Sequence, residues 1–158
     1  MHPTEYIELQ DTGRYGRSLF AKKDFKKDEI VFTAYGPIVS QGTIYSIPID
    51  HHLRIDPKKS EGNICWGLCH SCDPNLGVKD RTSFVAFRDI KKGEEVRPDY
   101  GMFCWEFGEE GMTEGDLICH CNSSICRGRL GCYKELPPDI RKKYAGYISD
   151  YLLDPRYH

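Results

Sequence analysis

The sequence predicts a mainly β domain, on three observations. Apolar and β-branched residues fall in short runs, Gly or Pro interrupts those runs every eight to twelve residues, and helical periodicity is nearly absent before residue 118. At 158 residues the chain has the size of one domain.

Taken in order, Leu19-Phe20-Ala21 and Glu29-Ile30-Val31-Phe32 read as strands on either side of the charged turn Lys22 to Asp28. Ile38-Val39, Tyr45 to Ile49 and Leu53 to Ile55 are further short strands, broken by Gly36-Pro37, Gly42 and Asp50. Ser83 to Arg88 is the clearest strand, followed by the Lys91-Lys92-Gly93 turn and Glu95-Val96-Arg97. Residues Met102 to Ile118 read as a linker to a polar, cysteine-bearing loop. One helix is predicted, over Pro137 to Leu153. Pro137-Pro138 can start it, and Ile140, Tyr144, Tyr147, Ile148, Tyr151 and Leu152 recur at three- and four-residue spacing.

Charge nearly balances, with 22 Lys plus Arg against 24 Asp plus Glu and a net charge of −2. That argues against a strongly basic nucleic-acid binder, so no direct nucleic-acid partner is expected. No apolar run approaches the ~18 residues of a membrane span, so no membrane association is expected. Residues Met1 to Arg14 carry Glu5, Glu8 and Asp11 and lack an apolar core, which predicts no signal peptide and a cytoplasmic protein. A nuclear location is the corresponding expectation in a eukaryotic setting.

Eight cysteines need an explanation. Cys119, Cys121 and Cys126 lie within eight residues of polar chain. A Cys-x-Cys disulfide is badly strained, whereas clustered thiols suit a metal. A closed tetrahedral zinc site takes four ligands, so this trio lacks one. The alternative is reduced thiols filling small gaps, which is the reading for Cys65, Cys104 and Cys132.

His70-Ser71-Cys72-Asp73-Pro74-Asn75 resembles the Asn-His-Ser-Cys-x-Pro-Asn signature of SET-domain protein lysine methyltransferases. Asp99-Tyr100-Gly101 is similar to that family's C-terminal motif, and Gly16-Arg17-Ser18-Leu19-Phe20-Ala21 to its N-terminal Gly-x-Gly motif. Cys119-His120-Cys121, four residues, then Cys126-Arg127-Gly128 resembles the post-SET zinc loop. The motifs fall in the family's order, and the compact form looks most like bacterial SET proteins.

The resemblance implies a SET-domain β-clip of small curved sheets with a knot-like C-terminal segment, a post-SET zinc loop and one C-terminal helix. The implied divisions are a SET domain at 1–118 with an insert at about 42–62, the zinc loop at 119–132 and a helical tail at 133–158. The implied activity is methyl transfer from S-adenosylmethionine to a lysine side chain of a basic protein, histone-like or ribosomal. Tyr100 takes the catalytic role. Gly16, Arg17, Ser18, Cys69, His70, Tyr100 and Leu130 take the cofactor, with Tyr133 the alternative to Leu130 over the adenine face. Cys72 supplies the fourth zinc ligand beside Cys119, Cys121 and Cys126. Glu106, Glu109, Glu110, Glu114 and Asp116 form an acidic run that either flanks the peptide groove or is a solvated loop.

Five positions depart from the family pattern. Cys69 stands where an Asn is usual, Trp66-Gly67 where Arg-Phe is usual, and Ser18 where a second Gly is usual. Pro98 replaces an aromatic before Asp-Tyr, and Ala34 replaces a Tyr for which Tyr35 is the substitute. These departures keep a second class open, a zinc-stabilised SET module that binds a peptide or partner without turnover.

Overall fold

The computed structural model describes residues 2–58, 62–107 and 112–157. The acidic pair Glu109 and Glu110, and residues 59–61 of the expected insert, lie outside the described residues. Three small antiparallel sheets carry the fold. Strands β1 (Ile7–Asp11) and β2 (Arg17–Ala21) form a hairpin. Its turn closes where the Thr12 amide and hydroxyl both donate to the Gly16 carbonyl, at 2.8 and 2.7 Å. Gly16 sits at φ +99°, a conformation open to a residue without Cβ.

The second sheet joins β3 (Ile30–Thr33) and β7 (Leu76–Lys79) on either side of β8 (Ser83–Ala86). Phe32 and Phe84 are paired across it and stack with centroids 4.7 Å apart, anchoring the core. The third sheet places β6 (Arg54–Ile55) between β4 (Ile38–Val39) and β5 (Ile47–Pro48). The expected strand at Glu95–Arg97 pairs as a ladder fragment instead. Phe20 bridges Glu95, and the Val96 amide donates to the Leu19 carbonyl at 2.9 Å.

The C-terminal helix is much shorter than expected. Helix α1 spans Pro138–Lys143, and a 3-10 turn at Asp150–Leu153 follows after an irregular stretch. Tertiary hydrogen bonds explain the difference. The Tyr147 carbonyl accepts from the Val78 amide at 3.0 Å, Ser149 N–H donates to Met102 O at 2.7 Å, and Asp150 N–H to Asp80 O at 2.9 Å. These backbone groups are spent on the body of the domain, and Gly146 at φ +88° turns the chain so that they reach it. The apolar periodicity reported burial correctly, since Tyr144, Ile148, Tyr151 and Leu152 are all buried. It did not report helix. Among the described residues no helix is long and apolar enough to cross a membrane.

Candidate active site and metal centre

Two stretches far apart in sequence run side by side behind the site. Ser71 N–H donates to Pro98 O at 2.9 Å, and Asn75 N–H to Arg97 O at 3.1 Å. Asn75 also spans the gap with its side chain, donating to Glu95 O and accepting from Arg97 N–H, both at 2.8 Å. This pairing sets Tyr100 beside Leu68 and Cys69. Asp99 caps the 3-10 turn Tyr100–Met102 by accepting from Gly101 N–H at 2.9 Å. A Cβ at Gly101 would lie 2.6 Å from Leu136 Cδ1, so only glycine lets the turn seat there.

Tyr100 stands in a cleft of about 360 Å³ between the hairpin turn and the insert. Gly16, Arg17, Cys69, Tyr100 and Leu130 all line it. An adjoining cavity of about 170 Å³ reaches His70, Cys119 and Cys121, and shares Tyr15, Cys69, Tyr100 and Leu130 with the cleft. The Tyr100 hydroxyl donates to the Leu68 carbonyl at 2.6 Å. Burial, with the Cys69 thiol nearby, pushes the phenol well above its ordinary value, so the hydroxyl stays a donor.

Of the expected cofactor residues, Ser18 alone reaches neither cavity. It is fully buried behind the cleft with its hydroxyl beside the Cys69 thiol. His70 is buried in the adjoining wall. Its Nδ1 lies 3.0 Å from Tyr100 N–H, which can only donate, so Nδ1 is the acceptor and the proton sits on Nε2. Nε2 in turn faces Cys72 Sγ at 3.4 Å. Burial lowers the His70 pKa to about 4 against the pull of Asp99, leaving a neutral ring. Tyr133 does not compete with Leu130 for the cleft. It is buried against Trp105, with centroids 5.9 Å apart.

Tyr15 and Phe103 escaped the sequence reading, while Trp66 entered it only as a departure from the motif and Tyr45 only as part of a strand. Tyr15 lines both cavities and donates to the Glu95 carboxylate. Tyr45 and Trp66 meet edge to face at 5.9 Å on the insert side. Phe103 lines the cleft and packs edge to face on Tyr100 at 5.6 Å. Pro98, where the family pattern has an aromatic, is buried, and its carbonyl accepts from Ser71 N–H. Tyr35 is not a substitute for the residue replaced by Ala34. Its hydroxyl donates to Gly62 O at 3.0 Å and its ring meets His2, away from the cleft.

The cysteines divide as expected. Cys65, Cys104 and Cys132 are buried singly. The sulfurs of Cys72, Cys119, Cys121 and Cys126 all lie within 4.8 Å of one another. Sulfurs about 2.3 Å from one zinc ion stand about 3.8 Å apart in a tetrahedron. Cys72 and Cys119 are 3.8 Å apart. Backbone N–H groups of Arg127 and Gly128 point at the sulfurs of Cys72 and Cys126, each at 3.4 Å, as suits thiolates. Burial opposes ionisation of Cys121, but hydrogen bonds from the backbone at Cys72 and Ser123 and from neighbouring thiols bring it down to about 7. The donor set and spacing fit one zinc ion.

The SET domain family model matches residues 16–101, more than half of the chain. The chain belongs to the SET domain family. Among SET-domain relatives, it is similar to a histone-lysine N-methyltransferase, H3 lysine-4 specific, of Schizosaccharomyces pombe. Identity there is 31% over 134 residues, covering 71% of this chain and 14% of that protein. Histone-lysine N-methyltransferase ASHH3 of Arabidopsis thaliana is 26% identical over 83% of this chain and 40% of its own length. The chain therefore spans well under half of either relative. In three dimensions it is similar to KRYPTONITE, solved in complex with mCHG DNA and SAH, with a TM-score of 0.61 and 23% identity. That likeness covers 79% of this chain and 29% of that one, and shows the shared fold.

Proposed function

We propose that this SET domain is an S-adenosylmethionine-dependent protein-lysine N-methyltransferase. The carrying observation is the Tyr100 hydroxyl, fixed on the Leu68 carbonyl inside an aromatic-lined cleft that runs from the Gly16 turn to the insert. Bound S-adenosylmethionine supplies a methyl group activated by a sulfonium. The chain's own residues must then bind, align and keep the acceptor amine neutral. A free lysine has a pKa near 10.4, and only its neutral form has a lone pair to attack with. Tyr45, Trp66, Phe103 and Phe107 offer an apolar wall that disfavours the ammonium. Tyr100 orients the amine through its hydroxyl, and alignment of this kind accounts for much of the acceleration.

In this reading Gly16, Arg17, Cys69, His70 and Leu130 form the cofactor side, with Ser18 buried behind it, and zinc on Cys72, Cys119, Cys121 and Cys126 fixes the loop that closes it. Relatives named for histone lysines, and the acid Asp116 in the cleft wall, favour a basic, histone-like or ribosomal substrate. Cys69 favours the second reading, a binding module without turnover, because a thiol is a weak partner for a polar ligand.

The test is incubation with methyl-labelled cofactor and a panel of histones and ribosomal proteins. Label recovered as methyl-lysine is expected, and Tyr100→Phe should lower it on the order of a hundredfold while S-adenosylhomocysteine binding holds. A wild-type protein that binds the cofactor product yet labels nothing supports the binding module instead.

A further inference from the structure

Arg127 joins the metal loop to the Tyr100 turn. Arg127 follows Cys126, and its backbone N–H donates to Cys72 Sγ at 3.4 Å. Its guanidinium crosses to the other side, where Nη2 donates to Asp99 Oδ2 at 2.6 Å. Asp99 is fully buried, so its carboxylate needs a compensating positive charge. His70 Nδ1 lies 3.7 Å from Asp99 Oδ1, but it is already the acceptor for Tyr100 N–H and has no proton to offer. Among the described residues Arg127 is then the cation that balances Asp99. The remaining lone pairs are filled by Gly101 N–H on Oδ1 and the Tyr144 hydroxyl on Oδ2, both at 2.9 Å.

We propose that Arg127 is a positioning residue, which ties the order of the metal loop to the orientation of Tyr100 through Asp99. The proposal rests on the methyl-transfer reading for its kinetic consequence. Asp99 immediately precedes Tyr100 and caps its turn, so a carboxylate that shifts for want of its partner carries the tyrosine with it. The tie requires a guanidinium. Its planar, multi-donor head reaches Asp99 beside the Tyr144 hydroxyl, a task a compact ammonium performs poorly.

The experiment uses the full metal-loaded chain as wild type, Arg127→Ala and Arg127→Lys. Metal content, kcat and KM for labelled transfer, and carbon-13 tyrosine ring spectra are read on each. Both variants are expected to keep the metal and a KM near wild type, with kcat lowered roughly tenfold or more. Guanidinium ion added to Arg127→Ala should recover part of kcat and return the Tyr100 resonance toward its wild-type position. Arg127→Lys covers the case in which the alanine variant fails to fold. Wild-type kcat in either variant overturns the proposal. So does loss of kcat together with the metal and without guanidinium recovery, which assigns Arg127 to loop construction alone. If wild type transfers no methyl, the methyl-transfer reading fails by itself. The tie is then judged on the Tyr100 resonance, which must shift in Arg127→Ala and return with guanidinium.

Discussion

The Cys69 thiol lies 3.5 Å from the carbonyl oxygens of both Arg17 and Gly67, and beside the buried Ser18 hydroxyl. Burial pushes its pKa up, so it sits in the cleft wall as a neutral, weak donor. An asparagine there offers two strong donors and an acceptor. Cys69→Asn is therefore expected to gain about one net hydrogen bond to a bound cofactor, on the order of 0.5–1.5 kcal/mol. That is roughly two- to twelvefold tighter binding of S-adenosylhomocysteine by calorimetry. An unchanged Kd shows that position 69 does not reach the ligand, and weaker binding shows a pocket shaped around sulfur. Residues such as Tyr100 and Cys72 were legible because short motifs fix them locally. Phe103 and Tyr15 were not, because an aromatic outside a motif enters the cleft only through contacts with residues distant in sequence. Phe103 shows the limit well, since it packs on the Tyr100 ring although no motif of the sequence points to it.

At the level of elements, the metal loop is the part least able to order itself by burial. Apart from Cys119, Cys121 and half-buried Leu130, its residues between Asn122 and Arg129 are exposed or only partly covered. Its backbone pairs sparsely, with Cys119 N–H on Gly128 O at 3.0 Å and Leu130 N–H on Leu117 O at 2.7 Å. A metal on four thiolates then contributes much of the loop's free energy of folding. Purified protein is expected to carry one zinc per chain. Cys72→Ser combined with Cys121→Ser should abolish it, and amide exchange should rise across 117–130 while β3, β7 and β8 stay protected. Zinc-free wild type, or zinc retained in the double variant, sinks the assignment. Element boundaries were less legible than this loop. The hairpin strand β1 carries the alternation Ile7-Glu8-Leu9-Gln10, a readable signal that was passed over. Strand β7 has no such alternation, since Leu76, Gly77 and Val78 are all buried, and a strand covered on both faces loses its period.

Across the whole molecule, the tail supports the site from behind, without lining it, as well as covering the core. Tyr144 reaches Asp99, and Tyr151 donates to the Phe103 carbonyl at 2.5 Å, from the same residue whose ring packs on Tyr100. The apolar spacing of 140–152 nevertheless belongs to no long helix, because Gly146 at φ +88° and the backbone bonds of Tyr147, Ser149 and Asp150 to the body interrupt it. Tyr151 is 1% exposed, so its hydroxyl has no water to fall back on. Tyr151→Phe keeps the ring and removes the donor from a buried carbonyl, an expected loss of about 1–3 kcal/mol. For a chain of this size each kcal/mol lowers Tm by about 2–4 °C. Urea denaturation should show a lower midpoint with an unchanged slope, because the surface exposed on unfolding stays the same. Zinc content should hold, since Tyr151 meets the body at Phe103 and not at the loop. If the midpoint does not move, the Phe103 carbonyl has found another donor and the tail is held by apolar packing alone. If the midpoint falls and methyl transfer falls with it, the Phe103 ring has moved against Tyr100, and the tail governs the cleft across the full width of the domain.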